Sequence, residues 1–354
     1  MVESGAESRT GATPLRAAAA RAERRTALAE PWVWLVGLAV GIASGYAAIL
    51  FRFAIAALQT LLYGADDATI HSYAADLNPL VVMAIPVAGG FAVGWILQRF
   101  TDEGRGHGVA DVILAAALHD GRVERREGVA AALASLITLS AGGSAGREGP
   151  VVHLAATLSG WVSERLRATG LTARDLLGCG VAAAVSASFN APLAGALFAH
   201  EVVLRHYAMH AFGPIVTASV AGAVISRVHM GDVTEFTLPM HTVEFYAELP
   251  AFALLGALCG LVAVLLMRGL FLADVLGGRI SRRLGLTAVQ RPAAAGALLG
   301  VIAVGFPHVI GVGYETTSRA LTVQIGFWTC VVFGLVKGLA VAITYGGRMG
   351  GGVF

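Results

Sequence analysis

The stretch GGSAGREGP, Gly142 to Pro150, sits between two short apolar runs, Val129 to Leu139 and Val151 to Val162. It breaks them with four glycines and a pair of adjacent opposite charges, Arg147 and Glu148. Pro150 suits the first position of a helix, where its missing N–H would have no partner anyway. On that reading the amides of Gly146, Arg147, Glu148 and Gly149 point out of a helix N-terminus, where the helix dipole favours negative charge. The turn is therefore a candidate anion site built from backbone. Glu148 stands at its mouth and is itself an anion. Its carboxylate either occupies the site as a gate, leaving when protonated or displaced, or only stabilises the dipole and pairs with Arg147 at a membrane surface.

Composition says where such a turn lies. The chain has 354 residues, 56% of them hydrophobic and only 14% charged, with a mean hydropathy of +0.72. Soluble domains carry about 25% charge. Roughly 20 apolar residues cross a bilayer, and the sequence offers long runs at Trp32–Leu58, Pro79–Leu97, Phe212–Val228, Leu249–Val275, Ala293–Ile310 and Leu321–Thr344. Between Arg99 and Leu204 the apolar segments shorten: Val109–Leu118, Val129–Leu139, Val151–Val162, Leu176–Phe189 and Pro192–Leu204. Several are too short to span alone, and irregular backbone at membrane depth survives only where protein or a water-filled cavity satisfies its polar groups. The fold class is an all-α polytopic membrane protein. Its 45 glycines suit close helix packing and interrupted helices.

Charge sets the expected orientation. Arg122, Arg125 and Arg126, then Arg165, Arg167 and Arg174, then Arg279, Arg282, Arg283 and Arg291 mark three connections, whereas the loops at 62–78 and 229–248 have acids and no Lys or Arg. The positive-inside rule puts the basic loops and the N-terminus in the cytoplasm. Residues 1–30 are polar and rich in Ala and Arg, and read as a cytoplasmic segment lying on the membrane surface as a helix. A formal charge of +2 gives no basis for nucleic-acid binding. Cys179, Cys259 and Cys330 lie far apart in apolar segments and read as buried small hydrophobes. The histidines are dispersed and no nucleophile, phosphate-loop, cofactor or metal motif stands out, which argues against an enzyme. His206 and His210 have the spacing to share a helix face and read as a surface pair.

Two further elements belong with the first. GGRMGGGVF, Gly346 to Phe354, repeats the spacing of Gly142, Gly143 and Gly146 as Gly346, Gly347 and Gly350. A second glycine break after a long apolar span fits transporters built from inverted repeats, with the site where the halves meet. GRGHGVA, Gly104 to Ala110, comes after the second long run. Gly106 and Gly108 free the backbone around His107 and leave its imidazole exposed, either as a donor to an anion or as a solvated loop histidine.

At these residues the chain resembles the CLC family of chloride channels and chloride/proton exchangers, of the bacterial type. GSAGREGP, Ser144 and Pro150 included, matches the family's GREGP signature; GHGVA corresponds to the loop read GSGIP in many members; and FNAPLAGALF, Phe189 to Phe198, GVGYE, Gly311 to Glu315, and the terminal GGVF also fit. The resemblance implies an inverted repeat of tilted and broken helices, with residues 31–230 as the first half and 231–354 as the second. It implies a homodimer among membrane lipids in a bacterial plasma (inner) membrane, each subunit with its own path for chloride and similar anions. Glu148 falls on the gating glutamate, which also carries protons in exchangers. His107 falls where many members place a serine hydroxyl on the central anion. Gly146, Arg147 and Gly149 from the first turn, with Val353 and Phe354 from the second, fall where backbone meets the ion.

The chain departs from the family pattern at three places. The sequence given stops before the proline of the family's GxFxP motif, so the second half is expected to be incomplete and a non-conducting fragment is one reading. The inner proton-carrying glutamate of many exchangers falls on Val202, next to Glu201, and an aliphatic side chain carries no proton; this favours a channel over an antiporter. With His107 in place of serine, a protonated imidazole would hold an anion more tightly, so conductance is expected to respond to internal pH.

Overall fold

Long apolar runs make long helices even where single glycines or an internal proline such as Pro86 or Pro214 lie inside them, and the region where apolar runs are short and set between charges and glycine turns makes shorter ones. The computed structural model describes residues 30–102, 104–168, 171–231, 236 and 245–353, and among them thirteen α-helices and no strand. In order they are α1 Glu30–Tyr63, α2 Ile70–Asp76, α3 Pro79–Phe100, α4 Val109–Leu118, α5 Arg125–Ser140, α6 Glu148–Arg165, α7 Leu171–Phe189, α8 Pro192–Phe198, α9 Met209–Met230, α10 Phe245–Arg283, α11 Gln290–Gly305, α12 Tyr314–Leu321 and α13 Phe327–Gly346. A π-helical turn, Ala199–Leu204, extends α8 and ends at Arg205 with φ 58. The surface helix expected over residues 1–30 lies, apart from Glu30, outside the described residues.

Helices α1, α3, α9, α10 and α13 are long and apolar enough to cross a bilayer. The span expected over Ala293–Ile310 is shorter than that. α11 stops at Gly305 because Pro307 follows, and Phe306 takes an extended φ of −138 before a single 3-10 turn at Pro307–Val309. Leu321 does not open the last span either. It closes the amphipathic α12, and the chain turns through Val323 (φ 58) before α13 begins at Phe327.

Small residues bring the helices together. Gly90 and Gly94 of α3 meet Pro292, Ala293 and Val289, while Gly296 and Gly300 of α11 meet Pro86 and Met83. Each helix thus offers a glycine pair at GxxxG spacing to the other, letting backbones touch as membrane helices do. α7 lies at the centre of the main core, with Leu177, Val181, Ala182 and Ala183 fully enclosed. A helix apolar on all sides belongs there. α1, α6, α8 and α9 pack around it.

α10 is the opposite case. It runs for 39 residues, packs chiefly against α13, and none of its most apolar stretch is covered by protein. Cys259 on this helix is accordingly exposed and Cys330 half-buried, and only Cys179 is the buried thiol expected of all three. At its far end Arg291 of α11 ties α10 to α13, donating to Asp274 Oδ1 (2.9 Å) and to the Gly346 carbonyl (2.7 Å).

Candidate functional site

α5 ends at Ser140, and the chain reverses through Gly142 at φ 95. Every residue from Ala141 to Pro150 is buried, so each backbone polar group there needs a protein partner. The Gly143 amide returns to Thr138 O (2.7 Å), the Tyr63 hydroxyl donates to Ala141 O (3.2 Å), and the Ser144 amide reaches Thr344 Oγ1 on α13 (3.1 Å). The turn then meets its counterpart. Gly146 and Gly352 exchange both backbone hydrogen bonds, each 2.7 Å, in an isolated antiparallel bridge.

Only glycine permits this approach. A Cβ on Gly352 would lie 2.7 Å from the Gly149 nitrogen, and one on Gly350 would lie 2.7 Å from the Ser135 nitrogen of α5. The repeated glycine spacing thus brings two distant turns into backbone contact. One expectation changes in consequence: the Gly146 amide is engaged by Gly352 O rather than open to an ion. Helix α6 also starts two residues earlier than expected, at Glu148, with Arg147 as its cap. Pro150 still falls in the first turn, where its lack of an N–H costs nothing. The amides at this helix start, from Arg147 to Gly149, point away from the intrahelical ladder.

The charges are enclosed. Glu148 is 7% and Arg147 5% exposed, with Nε to Oε1 at 3.7 Å. Arg147 also donates from Nη2 to the Tyr314 hydroxyl (2.8 Å), and its guanidinium carbon lies 4.7 Å from that ring's centre. Tyr314, at the start of α12, thereby steadies the cation beside Glu148.

His107 is not exposed. Gly106 passes close to Gly350, with 3.2 Å between a Cβ built there and the Gly350 Cα, which draws the loop inward. The imidazole is 8% exposed and stacks on His153 of α6, centroids 5.6 Å apart and planes 22° from parallel. Neither ring's Nδ1 has a hydrogen-bond partner. Next to it Gly108 caps α4, its amide donating to Asp111 Oδ2 (2.8 Å) while Arg105 bonds Asp111 Oδ1 (2.9 Å). Burial alone would raise the Asp111 carboxyl; the Gly108 amide and Arg105 outweigh it and hold the group below the usual carboxylate range.

The remaining expected residues lie elsewhere. Ser144 is fully buried in the turn, Val353 follows the bridge at 45% exposure, and Phe354 lies outside the described residues. Phe189 ends α7 and is 43% exposed. Val202 is half-buried and Glu201 exposed in the π-turn, whereas the adjacent His200 is fully buried between Tyr207 and Phe212. His206 precedes α9 and His210 is inside it, so they share no helix face; His210 Nε2 instead approaches Asp175 Oδ2 at 3.5 Å.

Sequence reasoning missed His153, Tyr314, Thr344 and Lys337. The first three act through contacts far along the chain; Tyr314 stands inside GVGYE, but nothing in that stretch points to Arg147. Lys337 did leave one, as the only charge in an otherwise apolar helix.

The sequence model of the voltage gated chloride channel family matches residues 89–354. A ClcB-like protein from Ralstonia nicotianae is 31% identical over 320 residues, covering 89% of this chain and 73% of its own. The voltage-gated ClC-type chloride channel ClcB of Escherichia coli is 29% identical over 331 residues, covering 90% and 76%. Among solved structures, a slow cyanobacterial Cl−/H+ antiporter superposes with a TM-score of 0.76 at 23% identity, over 91% of this chain and 75% of that one. A CLC-type fluoride/proton antiporter gives 0.75 at 20%, over 91% and 77%. The chain belongs to the CLC family, and its all-helical fold is that of CLC transporters.

Proposed function

We propose that the chain is a voltage-gated-type chloride channel, passing chloride and similar small anions where the two glycine turns meet, with Glu148 as the gate. The observation that carries this is a buried carboxylate at the start of α6, beside the Gly146–Gly352 bridge. A helix start stabilises negative charge there. When the carboxylate is protonated or swings away, an anion takes its place at the start of α6. Arg147 supplies positive potential, and the Val353 and Phe354 amides and the His107 imidazole complete the path.

The wider setting rests on the family resemblance. Residues 31–230 and 231–354 form the two halves, the N-terminus is cytoplasmic, and two copies assemble in the inner membrane with separate pathways.

The second reading is a chloride/proton antiporter, supported by the antiporters among the structural neighbours. Val202, where an acid would carry protons, speaks for the channel. Simultaneous recording of chloride efflux and proton movement from proteoliposomes separates them. Chloride flow without proton coupling is the expected result. Uphill proton movement that Glu148→Ala abolishes makes the protein an antiporter, and equal chloride flow and gating with and without Glu148 removes the gate.

A further inference from the structure

Tyr314 is the first residue of α12, and the chain is tied down on both sides of it. Before it, Lys337 of α13 donates to Gly311 O (2.7 Å) and Val309 O (3.2 Å), and Gly313 caps the helix in the left-handed region at φ 96. After it, Glu315 accepts from Ser72 of α2, taking the backbone amide at 3.2 Å and the hydroxyl as well. Phe236 stacks on the Tyr314 ring, centroids 5.6 Å apart and planes 26° from parallel. The phenol therefore stands on a post held by α2 and α13, and moving it breaks several contacts at once.

Arg147 is shared between this post and the gate. A guanidinium has five N–H groups in a rigid fork. Nη2 donates to the Tyr314 hydroxyl at 2.8 Å, and the guanidinium carbon lies 4.7 Å from the centre of that ring. Nε, by contrast, stands 3.7 Å from Glu148 Oε1, outside the roughly 3.2 Å limit of an N–H···O bond. The short bond thus goes to the phenol, and the carboxylate meets the cation at longer range. Both charges are enclosed, where a small change in their separation counts for more than it would in water.

We propose that Tyr314 is a positioning residue for the gate: its hydroxyl competes with Glu148 for Arg147 and so sets the acidity at which the carboxylate takes up a proton. The other ionisable groups around α6 are differently placed. α5 carries Arg125, Arg126 and Glu127, and α7 carries Arg174 and Asp175, near their starts and so at the other end of α6 from Glu148. Cys179 is buried farther along α7. α1 contributes Arg52 and Tyr63, whose hydroxyl donates to Ala141 O. α4 contributes Asp111, held by Gly108 and Arg105. On α6 itself His153 stacks on His107. In the second glycine turn Arg348 faces Asp274.

Infrared titration of the Glu148 carboxyl in liposomes, read as the difference between the parent protein and Glu148→Gln, tests this without requiring transport. Histidines give no carboxyl band, and the other acids cancel in the difference. Tyr314→Phe keeps the ring and its stacking and removes the acceptor. Its Glu148 midpoint should fall by about one pH unit, a tenfold change in proton concentration, because a guanidinium turned to the carboxylate favours the charged form. In an Arg147→Gln background the same substitution should leave the midpoint where it is. An unmoved or raised midpoint in Tyr314→Phe overturns the proposal, whatever happens to its unfolding temperature, as does an equal shift without Arg147. The functional half of the inference rests on Glu148 being the gate, so the pH curve of chloride efflux should move with the infrared midpoint. Efflux that ignores that midpoint removes the gate and leaves the role of Tyr314 standing.

Discussion

The turn at Gly142–Pro150 and the turn at Gly346–Val353 meet through the same kind of backbone contact, yet they are equipped differently. The first is buried throughout and holds Arg147 against Glu148 and Tyr314. The second also contains one arginine, Arg348, but its side chain is 41% exposed, and it faces Asp274 of α10 at 3.8 Å. No acid stands in the second turn. A repeated scaffold thus carries a single set of enclosed charges. Duplicated glycines make the meeting point, and what differs between the copies supplies the chemistry.

That contrast can be broken most directly at the arginines. Arg147→Met leaves an enclosed carboxylate without its cation and should cost about 3–5 kcal/mol. Arg348→Met removes a half-exposed pair and should cost less than about 1 kcal/mol. Thermal unfolding of the two variants side by side measures the difference, and equal losses would mean that burial does not separate the turns.

The bridge comes next. Gly352→Ala places a methyl against the Gly149 nitrogen, and forcing backbone apart costs about 1–3 kcal/mol. Gly256→Ala on α10, where nothing lies within 4 Å, should be neutral or slightly stabilising. Anion efflux should fall with the first substitution and not with the second.

A more modest effect than that at the bridge concerns the cap of α4, which steadies the loop bearing His107. The Asp111 carboxyl is lowered in the folded protein, so its contribution is fully present above the unfolded carboxylate value, about 3.9, and disappears as pH falls through the lowered folded value. Asp111→Asn should therefore cost on the order of 1 kcal/mol at neutral pH. Unfolding curves of variant and parent should converge in strong acid.

Much of this was legible in the sequence. Apolar run lengths located the long helices, and punctuation located the broken ones, because both follow from local backbone chemistry. GREGP and the recurring glycines marked the meeting point. The Arg147–Tyr314 contact was not legible, since it joins side chains from α6 and α12 that only the packing brings together. His107 was misjudged for a related reason: flanking glycines describe a loop's freedom, but its burial was set by Gly350 and His153. At α11 the sequence contained the answer in Pro307, which hydropathy alone passes over.

The length of α10 has a mechanical consequence. At 1.5 Å per residue its 39 residues make a rod of about 58 Å, nearly twice the ~30 Å hydrocarbon layer. Such a rod leans or protrudes, and the angle it takes depends on how thick the surrounding lipid is. Arg291 clasps this rod at Asp274 and the second glycine turn at Gly346 with one guanidinium. The bilayer thus has a lever on the turn, and efflux measured across vesicles of increasing acyl-chain length will show how far it reaches.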